Sequence, residues 1–218
     1  MSDFSEKKQK ILTCIRNYDI YYVEFKLIIH PFAIYFTYFF HLIKFSPNNV
    51  SLINLLVSFL CLYYFYFDHF LISFILYWFR TVLDYSDGAL ARFNSQSSKF
   101  GKYLDLIIDW LFYPSLWILI ILNKPDLWFL TFLLLFYVLL VDFYIEPRIK
   151  LLKKRAPLKE FFMQRGLLIG FAPFGLFEMW LLFLFSIFSF NEQIFVLLSL
   201  LVFVDLVYRL YETVRYSY

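Results

Sequence analysis

Residues 84–92 read Asp84-Tyr85-Ser86-Asp87-Gly88-Ala89-Leu90-Ala91-Arg92, and eight residues later comes Gly101-Lys102-Tyr103-Leu104-Asp105-Leu106-Ile107-Ile108-Asp109. Four carboxylates stand here inside two otherwise apolar runs. Asp84 and Asp87 are three residues apart and Asp105 and Asp109 four apart, so each pair shares one helical face. Gly88 and Ala91 continue the first face, and Gly101 lies one turn before Asp105. Small residues at these places let two helices, and a ligand, approach closely. Folding the helices together across the polar turn Asn94–Lys99 gathers the four carboxylates, which repel each other unless cations sit between them. Hard oxygen ligands near an aqueous face suit Mg²⁺ or Mn²⁺ bound together with substrate phosphates. Two such ions stabilise the attacking and leaving oxygens of a phosphoryl transfer.

Around this stretch the chain is built for lipid. Its 218 residues are 62% hydrophobic, 25% aromatic and 17% charged, with a mean hydropathy of +0.68. A soluble domain carries about 45–50% apolar and about 25% charged residues, so one core cannot hide the apolar side chains present here. The two cysteines, Cys14 and Cys61, are too few for a disulfide framework and lack metal-ligand spacing. The opening segment MSDFSEKKQK lacks an apolar stretch and a small-residue cleavage site, so no signal peptide is expected in it.

A helix needs about 20 mostly apolar residues to cross a bilayer. Six windows meet that need: 48–67, 69–91, 100–122, 127–146, 166–189 and 193–212. The expected fold is an all-α integral membrane protein with six transmembrane helices in residues 47–218, preceded by an N-terminal interfacial segment, 1–46. Of the 20 Lys and Arg, six precede the first window, three lie at 92–102, seven at 148–165 and two near the C-terminal end. Lys124 alone falls on the opposite side. This asymmetry puts both termini and the carboxylate turn in the cytosol. Residues 27–43 are apolar too, but His30, Thr37, His41 and Lys44 recur on one helical face, which predicts an amphipathic helix lying in the interface.

The string D-x2-D-G-x2-A-R-x8-G-x3-D-x3-D resembles the signature of the CDP-alcohol phosphatidyltransferase family, and all eight of its fixed positions are present. Pro47-Asn48-Asn49-Val50-Ser51 is similar to that family's Pro-Asn element near the nucleotide. The resemblance implies transfer of a substituted phosphate from a CDP-linked donor such as CDP-diacylglycerol to an alcohol, with release of CMP. It implies Asp84, Asp87, Asp105 and Asp109 as ligands of two Mg²⁺ or Mn²⁺ ions, with Asp109 also the general base. Asp84, Gly88, Ala91, Arg92, Gly101, Asn48 and Ser51 would bind the CDP moiety. A homodimer is implied as well, and no nucleic acid is expected among the partners. The stretch Ser97–Gly101 with Leu104-Asp105 is closest to members that use inositol phosphate or related polyols, although Trp110 stands where those often have Arg. Glycerol 3-phosphate or serine remains the alternative acceptor.

Other intramembrane charges have plainer readings. Arg80 lies one turn before Asp84 and is expected to pair with it. Asp205 and Arg209 are likewise one turn apart. Glu178 must face the bundle, and the histidines read as interfacial. The basic run from Arg148 is a topology and lipid contact by default. Arg148 follows Pro147 at a helix end, however, and a fixed guanidinium binds phosphate bidentately. Arg148, Lys150, Arg155 and Arg209 are therefore candidates to grip a phosphorylated acceptor. A rival class, a cation-binding transporter, would spread its carboxylates along a path rather than gather them at one face. A Lys124→Cys substitution is expected to be labelled by an impermeant reagent from outside and Lys153→Cys not. The reverse labelling would put the aspartates on the wrong side for a cytosolic donor.

Overall fold

The computed structural model describes residues 2–14, 25–140, 176–188 and 192–216, and the regular elements among them are all helical. Helix α1 is Ser2–Cys14, and a π-helical turn at Phe25–Ile29 runs into α2, His30–Leu42. Then come α3, Pro47–Tyr66, α4, Phe70–Phe93, and α5, Lys99–Asn123. A 3₁₀ turn at Pro125–Leu127 leads into α6, Trp128–Leu140, followed by α7, Leu176–Phe188, and α8, Glu192–Tyr216. The first three windows thus match α3, α4 and α5 to within two residues. Two of the helices, α3 and α5, are long and apolar enough to cross a membrane. Helix α4 is as long, at 24 residues, but Arg80, Asp84, Asp87 and Arg92 interrupt it.

Local chemistry sets the helix ends. Ser46 and Ser98 cap α3 and α5, each accepting a hydrogen bond from the backbone N–H three residues on, Asn49 at 3.2 Å and Gly101 at 2.9 Å. At the other ends, Lys44, Asp68 and Ser95 adopt positive φ of 57°, 59° and 55°. Each sits just past a helix whose last carbonyls it helps to close. Ser95 N–H donates to Arg92 O and Gln96 N–H to Ala91 O, with the same pair of bonds repeated at Lys44 and Asp68. That is the Schellman arrangement, here without its usual glycine.

Packing centres on α4, which meets α1, α2, α3 and α7, while α5 lies against α3. The buried faces carry polar residues among apolar ones, while the outer faces are largely apolar. Helix α3 buries Ser51, Asn54, Ser58 and Cys61 while Leu52, Leu56, Phe59 and Tyr63 point outward. On α4, Ser73, Arg80, Thr81, Ser86 and Asp87 are buried. Where the surroundings are hydrocarbon, polar groups must find partners inside the protein. Cys61 and Ser73 do so reciprocally: Ser73 Oγ donates to Cys61 O at 3.0 Å, and Cys61 Sγ donates to Ser73 O at 3.3 Å.

The same logic places α2 against the bundle: Thr37 of its polar stripe is fully buried against α4 and approaches Ser86 O at 3.4 Å. Ser86 Oγ in turn donates to Ala33 O, and His41 Nδ1 lies 2.8 Å from Asn94 Oδ1. Phe32, Tyr35, Phe39, Leu42 and Ile43 face outward instead. Next to lipid, the apolar face belongs outside and the polar stripe inside. Replacing the strained αL residue Asp68 by glycine, far from the carboxylates, is expected to raise stability by about 1 kcal/mol. A melting series in detergent measures it.

Candidate functional site

Helix α3 brings Ser51, Asn54 and Ser58 onto one face by steps of three and four, and α4 does the same for Arg80, Asp84 and Asp87. The two faces meet antiparallel. Ser51 Oγ donates to Asp87 Oδ2 at 2.7 Å, and Arg80 Nε donates to Ser58 Oγ at 3.0 Å. Between these two rungs stand Asn54 and Asp84. Asn54 is fully buried, and neither of its amide atoms has a hydrogen-bond partner; Asp84 Oδ1 is buried and equally unpartnered. An unsatisfied buried polar group costs about 1–3 kcal/mol, so leaving these atoms without partners lowers stability.

Helix α5 supplies the other two carboxylates. Asp105 and Asp109 both act electrostatically on Asp84, and Asp84 and Asp109 on Asp87. The four aspartates are therefore neighbours. Asp109 is also bonded by Arg80 Nη2. This corrects the expected pair: Arg80 makes its salt bridge with Asp109 rather than with Asp84. A long helical side chain leans toward the N-terminus of its own helix, away from a residue four positions later. The Arg80 guanidinium thus leans away from Asp84 and reaches the facing α5.

Beside the aspartates opens a cavity of about 110 Å³. Its wall contains Asn48 and Ser51 from the start of α3, Gly88, Ala91 and Arg92 from the end of α4, and Gly101 from the start of α5. Asp87 and Asp105 form its acidic side. Two helix N-termini thus border one cavity, and such termini favour anions through their free N–H groups and dipoles. Arg92 is anchored from behind, its Nε donating to Cys14 O at the end of α1. Gln96, Ser97, Ser98 and Lys102 also line the cavity. Sequence reasoning assigned them no role in binding, although a serine capping a glycine-containing first turn was the available signal. It missed Asn54 too, whose spacing from Ser51 and Ser58 was the signal there.

Asp84, with an oxygen to spare, and the hard oxygens of its neighbours have the right chemistry for a divalent cation. Two of the four carboxylates are turned to protein partners, Asp87 to Ser51 and Asp109 to Arg80. Accordingly, no group of three or more His, Cys, Asp or Glu among the described residues is drawn together as a ready metal shell. Of the candidate acceptor residues, Arg148, Lys150 and Arg155 lie outside the described residues. The backbone of Arg209 belongs to α8, but its side chain, like those of Asp205 and Glu178, lies outside them.

The CDP-alcohol phosphatidyltransferase family model matches residues 44–204, from just before α3 to the middle of α8. The chain belongs to this family. Over 90 residues, 41% of the chain, it is 38% identical to an archaetidylinositol phosphate synthase from Pyrococcus horikoshii, covering 48% of that protein. Over 66 residues, 30% of the chain, it is 39% identical to a CDP-diacylglycerol–glycerol-3-phosphate 3-phosphatidyltransferase from Aquifex aeolicus, covering 37% of that one. The chain thus spans about half or less of the length of the curated relatives it matches.

The two glycines of the cavity differ in what surrounds them. A Cβ on Gly101 would stand 3.0 Å from Asn48 Oδ1 and 3.2 Å from Ser98 Oγ, the helix cap. On Gly88 it would meet only the tip of Arg92, at 3.4 Å. Gly101→Ala is therefore expected to lower stability by about 1 kcal/mol through overpacking. Gly88→Ala, at a helical position, should hold or gain about 0.5 kcal/mol while narrowing the cavity. Melting curves and CMP titration of both variants check this: Gly88→Ala should lose CMP affinity without losing stability.

Proposed function

We propose that the protein is a membrane transferase that moves a substituted phosphate from a CDP-linked donor to an alcohol and releases CMP. The observation that carries this reading is the cavity itself. Helix N-termini, Asn48 and Arg92 offer donors for a pyrophosphate, Gly88 and Gly101 let it approach the backbone, and carboxylates lie directly beside it. Asp84, Asp87, Asp105 and Asp109 would hold Mg²⁺ or Mn²⁺, two ions in all, which neutralise charge on the phosphates when bound. Ser51 orients Asp87 through its hydrogen bond. The acceptor oxygen forms a bond to the β-phosphorus of the donor, the bond from that phosphorus to the CMP oxygen breaks, and Asp109 takes the acceptor proton.

The donor is a lipid, CDP-diacylglycerol or its like, since the chain faces hydrocarbon on most sides. Six spans with both termini and the site on the cytosolic side accommodate the helices. The exposed pair Lys124 and Glu192, 3.5 Å apart, supports this by joining the end of α5 to the start of α8, away from the cavity. The acceptor is a phosphorylated polyol gripped by Arg148 and Arg209 with Lys150 or Arg155. The longer match, to the archaetidylinositol phosphate synthase of Pyrococcus horikoshii, supports this over glycerol 3-phosphate, which the name of the Aquifex aeolicus relative carries, or serine. The working unit is a homodimer.

CMP release from CDP-diacylglycerol tests the reading, with inositol phosphate, glycerol 3-phosphate and serine offered separately. Release is expected with inositol phosphate, lost in excess chelator and restored by Mg²⁺ or Mn²⁺. Asp84→Asn, Asp87→Asn and Asp105→Asn should abolish it with the melting transition preserved, and Asp109→Asn should slow it at least about 10²-fold. Full turnover in chelator would sink the metal assignment. No CMP from any acceptor would sink the transferase.

A further inference from the structure

A base on a helix surface is useful only if one of its oxygens stays aimed at the hydroxyl it deprotonates. Asp109 is held from behind. Arg80 binds it through Nη2, binds Ser58 Oγ on α3 through Nε at 3.0 Å, and binds Tyr113 OH on α5 through Nη1 at 3.3 Å. All three guanidinium nitrogens are therefore occupied, and three helices are tied together by one side chain. The planar group is further fixed by aromatic contacts, with its Cζ 4.3 Å from the Phe112 ring centroid and 5.0 Å from that of Tyr113. The anchor is buried and the anchored group is open: the side chain of Arg80 is 1% exposed and that of Asp109 36%. A carboxylate tethered at Oδ1 and open elsewhere can receive an incoming proton without turning away.

We propose that Arg80 is a positioning residue for the transfer, with Ser58 and Tyr113 fixing its guanidinium so that Asp109 keeps one oxygen anchored and presents the other to the acceptor. This rests on the reading of Asp109 as the base. It differs from a merely structural ion pair in a measurable way, because its whole effect on turnover passes through Asp109. A lysine at position 80 keeps the charge but offers no planar fork to serve three partners at once.

The test uses the full chain in detergent, with CDP-diacylglycerol and inositol phosphate varied separately. Should inositol phosphate not be turned over, the acceptor is whichever of glycerol 3-phosphate and serine is. Ser58→Ala and Tyr113→Phe, which keep the packing, are each expected to lower kcat about fivefold, the worth of one hydrogen bond. Arg80→Lys should lower it at least about tenfold, with donor KM and CMP binding unchanged in all three. In the Asp109→Asn background, where the anchored base is gone, none of the three should lower kcat further. A loss that multiplies with that of Asp109→Asn, or that appears in donor KM, overturns the proposal and leaves Arg80 a structural tie. Normal kcat in both Ser58→Ala and Tyr113→Phe overturns it as well, even where Arg80→Lys fails to fold. Normal turnover in Asp109→Asn alone is a different failure: it removes the base assignment itself, and this inference with it.

Discussion

A guanidinium buried among apolar helices must be given its partners by the fold, and Arg80 is given one on α3, two on α5 and an aromatic face besides. The helix arrangement follows from this requirement. An unpaired charge in such surroundings would cost several kcal/mol, so any slip of α3 or α5 along α4 that broke these contacts is excluded. Ser51 with Asp87 and Cys61 with Ser73 repeat the constraint above and below. Directional bonds along one seam thus fix a register that lipid-facing leucines and phenylalanines, equally content in any register, cannot.

That register is what creates the site. With the rungs Ser51–Asp87 and Ser58–Arg80 in place, Asn54 and Asp84 stand between them, both amide atoms of Asn54 and Oδ1 of Asp84 without a hydrogen-bond partner. The ends of the same helices bring two N-termini and the C-terminal turn of α4 to one cavity. The site therefore has two zones of opposite character. Helix N-termini, Asn48 and Arg92 suit phosphate oxygens, whereas the carboxylates beside them repel phosphate and suit cations. The proposed donor, a diphosphate accompanied by metal, would need both zones side by side.

The sequence made the carboxylates and their helices legible because both signals are local. Spacings of three and four put Asp84 with Asp87 and Asp105 with Asp109, and runs of about 20 apolar residues mark helices in lipid. What it hid was tertiary. The partner of Arg80 could not be read from i,i+4 spacing, because the side chain leans back along its helix and the partner waits on another. The burial of Thr37 was hidden for a related reason: a polar stripe on an apolar helix can face other helices as well as water. Asn54 escaped notice because it carries no charge, yet it stands in the same buried stripe of α3 as Ser51 and Ser58.

Four neighbouring carboxylates are unfavourable together, and a soluble protein would relax them into water. Here the hydrogen-bonded seam with α3 limits that relaxation on one side, so part of the mutual repulsion stays. The tie from Arg80 removes part of it by taking up Asp109, and the hydrogen bond from Ser51 steadies Asp87. What is left is an attraction for cations that the protein itself does not satisfy. On the proposed reading, a fold that held the aspartates less rigidly would be more stable and would bind phosphates and metal less well, which is the usual relation between a preorganised site and its scaffold.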